Sequence, residues 1–178
     1  MLTRMGFKHV RAACVLVLSL LALPAAAFER PPQLVDQTGR TFSLTSLRGT
    51  PLVVTFVAAH CTDACPLVNA QFSRAARCLA AEHRNVRLVT ITLDPENDPP
   101  RVMRALAQTF AADPRSWIVA GGSVADVHRV MREFGVMARR GRKGYADAHT
   151  TFVYFVDARG AVRKMILAST NLGAQLAQ

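Results

Sequence analysis

Aromatic and acidic residues are scarce in this 178-residue chain, which has one tryptophan, two tyrosines and 12 acidic residues against 22 lysines and arginines. A net charge of +10 favours acidic partners, but single-stranded nucleic-acid sites also need aromatic side chains on which bases stack. No basic stretch with interleaved aromatics occurs in the sequence, so nucleic-acid binding is not predicted. The chain also lacks internal repeats and low-complexity tracts, and its length favours a single domain.

An apolar run long enough to span a membrane is also missing. The run AACVLVLSLLALP, residues 12–24, is shorter than the roughly 20 residues that a membrane-spanning helix needs, and it ends in a proline. It follows a basic segment and precedes three alanines, which is the pattern of a secretory signal peptide. We therefore expect residues 1–27 to be a cleaved signal peptide and residues 28–178 to form one periplasmic domain. The alternative is a retained leader that anchors the protein in the inner membrane, facing the periplasm.

Strand and helix patterns alternate after this leader. Two short strands flank a turn near Gly39, and Leu52 to Ala58 is a continuous apolar run, typical of a strand buried on both faces. The remaining patterns, in order, are a helix after Pro66, the strand NVRLVTITLD, a helix after Asp98, the strand SWIVAG, the helix SVADVHRVMREFG and the hairpin TTFVYFVDARGAVRKMIL. This order predicts an α/β fold, namely a thioredoxin-like sandwich with a central mixed sheet, flanking helices and an N-terminal hairpin.

The segment VAAHCTDACPLV places Cys61 and Cys65 in the loop between the buried strand and the next helix. Ligands usually bind at this position in open α/β sheets, and a helix N-terminus favours thiolates, which both ligate metals and attack disulfides. A purely structural disulfide is the alternative, but so short a loop gains little stability from a cross-link. The pair therefore indicates a metal clamp or a redox switch.

A metal clamp made of two thiolates needs a third donor. His83 and His128 lie in helical segments rich in charge, and His60 adjoins Cys61, where neighbouring side chains point apart in an extended segment. His149 ends a loop rich in glycine and arginine, just before the strand TFVYFV. Spacing alone makes His149 a candidate and leaves the choice open.

Four pieces, in order, resemble the Sco/SenC family of copper-binding, thioredoxin-like assembly proteins. They are LVDQTGRTFSLTSLRGTPLVVTF, the C-x-x-x-C-P at Cys61, DPENDPP after a buried strand, and a lone His149 before the final hairpin. The similarity extends from about Leu34 to about Ile166. Thr62 and Pro100 stand where the family commonly has other residues, which marks a divergent sequence.

The resemblance implies copper bound by Cys61, Cys65 and His149, for assembly of the copper centre of cytochrome c oxidase. Two thiolates and an imidazole suit Cu(I), although Zn²⁺ would also accept them. The implied partner is the copper-bearing subunit of the oxidase or another copper client. The protein is expected to be a monomer that works near the membrane.

A thiol-disulfide oxidoreductase that reduces a client's copper-site cysteines is the competing function. It would use Cys61 and Cys65 as a redox pair and would not require His149; as a metallochaperone the protein would have no catalytic residue.

Several further residues have structural and functional interpretations. Asp94 follows a strand and is expected to be a turn residue or to support the metal ligands, whereas Asp98 is expected to cap a helix. Cys78 lies in an apolar helical stripe and is expected to be a buried thiol. The methionines Met103, Met131, Met137 and Met165 are expected to fill the core. The cation-rich segment MARRGRKGYADAH is expected to be either a mobile loop that attracts acidic clients or simply a solvated turn.

Overall fold

The computed structural model describes residues 30–62, 64–149, 152–168 and 171–176, with the side chains of residues 147–149 excluded. The predicted signal peptide lies outside these residues. Within them the chain forms nine strands and four α-helices. The strands are β1 (Leu34–Asp36), β2 (Thr41–Phe42), β3 (Leu52–Val57), β4 (Arg87–Thr92), β5 (Trp117–Gly122), β6 (Ala138–Arg140), β7 (Ala146–His149), β8 (Phe152–Val156) and β9 (Val162–Leu167). The helices are α1 (Ala64–Ala81), α2 (Pro100–Thr109), α3 (Val124–Glu133) and α4 (Leu172–Leu176), with a 3-10 turn at Leu44–Leu47.

Seven strands make one mixed sheet in the order β2-β1-β5-β4-β3-β8-β9. The central strands β3, β4 and β5 are parallel, while β1 and β2 pair antiparallel as the predicted N-terminal hairpin. The β8–β9 hairpin adds to β3 in antiparallel fashion. The predicted mixed sheet with flanking helices is therefore confirmed.

Both faces of the central sheet are covered, which explains the continuous apolar run of β3. All six residues of β3 are buried, and their side chains alternate between two cores. Val54 and Phe56 pack with residues of α3, whereas Val53 and Val57 pack with residues of α1, α2 and α4. A strand covered by helices on both faces needs no polar alternation.

Local signals set the start and the end of α3. The Ser123 side chain accepts a hydrogen bond from the Asp126 backbone N–H at 3.1 Å, capping the first turn. Gly135 follows the last turn with a φ of +66°, a left-handed conformation that glycine adopts without steric cost. The predicted helix therefore has its predicted ends.

Three residues that were expected to be buried are exposed. Cys78 is exposed, because it lies beside the buried stripe of α1 rather than on it. Met137 and Met165 are 76% and 52% exposed, whereas Met103 and Met131 are buried as expected. The cation-rich segment, expected to be a loop, contains the two short strands of the antiparallel β6–β7 hairpin.

Candidate metal centre

The cysteine loop and the loop after β4 lie at the same end of the sheet. Strands β3 and β4 are parallel, with Val57 opposite Thr92, so the segments that follow them leave the sheet side by side. Asp98 joins the two loops. Its Oδ2 accepts a hydrogen bond from the Ala59 backbone N–H at 2.9 Å and another from the Thr92 hydroxyl at 2.9 Å.

Asp98 is therefore not the N-cap of α2, as the sequence predicted. Pro99 occupies the N-cap position, with no side-chain hydrogen bond, and the Asp98 carboxylate turns instead toward the cysteine loop. Burial raises the pKa of Asp98, although the hydrogen bonds from Ala59 and Thr92 oppose that rise. Asp98 thus fixes the loop that leads into Cys61.

Replacement of Asp98 tests this anchoring. Asp98→Ala removes the acceptor of two hydrogen bonds, one of them from the fully buried Thr92, and should lower the free energy of unfolding by about 2 kcal/mol. Asp98→Asn keeps a side-chain oxygen and removes a buried negative charge. Because the folded-state pKa is raised, ionisation of Asp98 weakens the fold as the pH rises, and Asp98→Asn avoids that cost. Urea denaturation at neutral pH measures both variants, and equal losses for Asn and Ala would contradict the anchoring role.

The two predicted cysteine ligands, Cys61 and Cys65, lie next to each other at this end of the sheet. Cys65 lies in the first turn of α1 and is 3% exposed, while Cys61 is half-buried in the preceding loop. Burial raises the pKa of Cys65 to about 12, despite an opposing hydrogen bond with the backbone of Ala58, and a hydrogen bond with the Cys61 side chain contributes to the rise. The expected thiolate stabilisation at the helix N-terminus is therefore outweighed at Cys65 by burial.

The backbone of His149 ends β7, opposite Ala138 of β6, and its side chain lies outside the described residues. Strand β8 begins at Phe152, near the carboxyl end of β3, because Thr55 pairs with Val153. Three residues of chain span at most roughly 10 Å. The His149 backbone is therefore confined to the end of the sheet that holds the cysteines.

Asp94 fastens the hairpin that carries His149 to the end of β4. It is 1% exposed, and its Oδ2 accepts a hydrogen bond from the Ala146 backbone N–H at 3.0 Å. The Asn97 side chain donates to both Asp94 oxygens, at 3.0 and 2.9 Å, and also to the Gly144 carbonyl at 3.1 Å. Asp94 and Asn97 together hold the base of β7 in place.

Arg140 completes this attachment, which the sequence analysis did not foresee. Its guanidinium forms ion pairs with Glu96 and, at 3.4 Å, with Asp94, and its Nη1 donates to the Gly144 carbonyl at 2.7 Å. The signal in the sequence was limited to the polar run DPEND after a buried strand. Arg140, one of the four cations of the segment that was expected to attract clients, is therefore paired with acidic groups of the same chain.

His60 lies in a turn, closed by a hydrogen bond from the Cys61 backbone N–H to the Ala58 carbonyl at 3.1 Å, and not in the extended segment that was expected. Its ring packs against Tyr145, with the two ring centroids 4.2 Å apart. Its Nδ1 lies 3.7 Å from the Asp94 Oδ2, which is too long for a hydrogen bond, and this buried nitrogen has no hydrogen-bond partner. His60 thus contacts the hairpin.

The described residues contain two of the three predicted donors. Among the side chains that the structure describes, no group of three or more His, Cys, Asp and Glu residues is placed to hold a metal ion. Cys61 and Cys65 supply two soft donors, and the side chain of His149, the third predicted donor, lies outside the described residues. No helix within the described ranges is long and apolar enough to cross a membrane.

Comparisons with known proteins agree with this architecture. The SCO1/SenC family profile matches residues 21–178. The SCO1 protein homolog of Bacillus subtilis is 26% identical over 131 residues, which cover 72% of this chain and 68% of that protein. Alignments with two further curated relatives cover 64% and 66% of their lengths, so the chain spans about two thirds of these relatives.

Two solved structures share the fold at similar identity. ScoI of Bradyrhizobium japonicum with copper bound has a TM-score of 0.72 and 26% identity, with 83% of this chain and 94% of that chain covered. A SCO1/SenC family lipoprotein of Bacillus anthracis has a TM-score of 0.73 and 25% identity, with 81% and 87% covered. The mixed sheet, the cysteine pair at its carboxyl end and the family match over residues 21–178 establish that this chain belongs to the SCO1/SenC family.

Proposed function

We propose that this protein is a periplasmic copper metallochaperone that binds Cu(I) through Cys61, Cys65 and His149. The observation that carries the proposal is the pair of adjacent thiols at the end of the sheet to which the His149 hairpin is attached. The copper-bound ScoI relative supports copper as the metal.

The state of the Cys65 thiol favours a metal-binding role. A Cys65 pKa of about 12 means that this thiol is protonated at neutral pH in the metal-free protein. Metal binding supplies the positive charge that makes a coordinating thiol lose its proton. A soft d¹⁰ cation such as Cu(I) is the natural partner of two thiolates.

His149 is proposed as the third donor and Asp94 as its support. The hydrogen bond from Ala146 to Asp94 fixes the backbone three residues before His149. The Asn97 and Arg140 contacts to Gly144 hold the turn of the same hairpin. Asp94 thereby supports the segment on which the imidazole is carried, without itself serving as a ligand.

A copper titration tests the proposal. The reduced protein without its leader should take up about one Cu(I) in competition with a colorimetric Cu(I) chelator, with loss of protons to the buffer. A Cys61→Ser, Cys65→Ser double variant is the matched control and should bind no copper above background. Unchanged binding by that control, or a clear preference for Zn²⁺ over Cu(I), would overturn the proposal.

A thiol-disulfide oxidoreductase is the second candidate function. It is favoured by the hydrogen bond between the Cys61 and Cys65 side chains, since thiols in contact are placed to form a disulfide. Here the protein would transfer electrons and hydrogens from its dithiol to a client's disulfide, and Cys61, the more exposed thiol, would attack first. Reduction of a model disulfide that is as fast in His149→Ala as in the parent would identify this activity.

Export and the client are also part of the proposal. We infer that residues 1–27 are removed and that the mature protein starts at Phe28, which an intact-mass measurement of the exported protein would test. The lipoprotein relative of Bacillus anthracis supports a site of action outside the cytoplasm. The proposed client is the copper-bearing subunit of cytochrome c oxidase.

A further inference from the structure

A cleft of about 600 Å³ opens beside the β6–β7 hairpin, between that hairpin and α3. Its floor is apolar and is formed by the buried side chains of Leu93, Met131, Val136 and Ala146. Met137, with 76% of its surface exposed, lies at the edge. Because the floor side chains are buried, the exposed Met137 is the large apolar side chain of the lining that a partner would cover.

The acidic groups of the cleft are already compensated. Glu96 forms an ion pair with Arg140, and its Oε1 lies 3.8 Å from the His128 Nε2. Asp94 is buried and accepts hydrogen bonds from Asn97 and from the Ala146 backbone. Neither carboxylate is left to attract a cationic partner.

Two cations of the same cleft remain uncompensated. Arg132 and Arg139 line it and are exposed, and neither has an ion-pair partner among the side chains that the structure describes. Arg142 and Lys143 follow on the exposed turn of the hairpin. The cleft therefore joins an apolar floor to a positively charged rim.

We propose that this cleft is the docking surface for an acidic segment of a partner protein, one that alternates apolar and acidic side chains. Its apolar side chains would cover the floor, and its carboxylates would meet Arg132 and Arg139. A second copy of this chain fits poorly, because the protein is strongly basic: its net charge is +10 over the whole chain and +7 without the three cations of residues 1–27. The identification of this partner with the copper client rests on the proposed function, but the docking itself does not.

The cleft lies next to the hairpin that carries the proposed third metal ligand. Arg139 belongs to β6, and the preceding residue of that strand, Ala138, pairs with His149 of β7. A partner held against β6 would contact the strand next to the proposed third ligand. Docking there would bring an acidic client beside the hairpin that carries His149.

Binding of a synthetic peptide to the reduced, copper-free protein tests the docking surface. The probe is a capped peptide of alternating aspartate and leucine, and the counter-probe has lysine in place of aspartate. Backbone amide shifts in an NMR titration at up to millimolar peptide should move around residues 93–96 and 131–140. Only the acidic probe should produce them.

A charge-reversal pair and a matched control make the test specific. Arg132→Glu with Arg139→Glu should weaken binding of the acidic probe about tenfold, since each reversal replaces an attraction by a repulsion. Arg74→Glu with Arg77→Glu makes the same change in net charge on α1, across the sheet, and should leave the affinity unchanged. Met137→Ser should weaken binding without any change of charge.

Three results would overturn the proposal. They are equal affinities of the parent and the Arg132→Glu, Arg139→Glu variant, shifts that map to another face, and no shifts at millimolar peptide. Stronger binding to anionic lipid vesicles than to the peptide would assign the basic rim to a membrane surface instead. Because copper is absent throughout, a failed copper titration and a failed peptide titration are separate results.

Discussion

The His149→Ala variant should bind Cu(I) more than about a hundredfold more weakly than the parent, since even groups that only orient metal ligands change affinity 10- to 100-fold. Cys61 and Cys65 would be left as a two-donor site, and water is a poor third ligand for Cu(I). A chelator competition assay under reducing conditions measures the difference. The fold should be unaffected, because the Ala146 and Gly144 contacts that hold the hairpin do not use the His149 side chain.

His60→Ala is the matched control for this prediction. His60 adjoins Cys61, but its ring lies on Tyr145 and its Nδ1 faces Asp94. Its loss should therefore leave the Cu(I) affinity within a few-fold of the parent. A sharp loss in His60→Ala together with normal binding in His149→Ala would show that the wrong histidine has been assigned.

Oxidation of Cys61 and Cys65 to a disulfide should abolish copper binding, and reduction should restore it. Both thiolates are needed for the metal, and a disulfide sulfur has no negative charge to offer. The hydrogen bond between the two side chains shows that they are in contact before oxidation. Thiol counting with copper titration on the oxidised and reduced protein measures both halves of the prediction.

Cys78 should not form a disulfide with Cys61 or Cys65 of the same molecule. It lies 13 residues after Cys65 on the same helix, which is about 20 Å along the axis and far beyond the reach of a disulfide. Because Cys78 is exposed, it could join two molecules on oxidation, so Cys78→Ser is the control that removes this side reaction. An oxidised Cys78→Ser protein that still binds copper like the reduced form would contradict the switch.

The amino-acid sequence by itself predicted the strands and helices from β1 to α3 and the β8–β9 hairpin, whereas it did not predict β6, β7 or α4. The run Leu52 to Ala58 predicted a strand covered on both faces, and Ser123 and Gly135 marked the ends of α3. These signals are local, since they depend on periodicity and on the conformations of single residues. The spacing of Cys61 and Cys65 after that strand placed them at the carboxyl end of the sheet for the same reason.

Tertiary structure alone decided which polar groups meet at that end. Asp98 bonds to Ala59 across 39 residues and Asp94 to Ala146 across 52, and nothing in the local pattern of either segment specifies such a partner. A capping role for Asp98 was a sound local prediction. In the folded protein, however, the Asp98 carboxylate accepts a hydrogen bond from the Ala59 backbone N–H of the cysteine loop and does not cap α2.

The environment of each cysteine also required the folded packing. Consecutive residues of a helix differ by about 100° in direction, so Cys78 points away from the core into which its neighbour Leu79 is buried. Cys65 lies in the N-terminal turn of α1, a position that should favour a thiolate, yet burial raises its pKa to about 12. Burial depends on which elements cover a residue, and that follows only from the arrangement of the whole sheet and its helices.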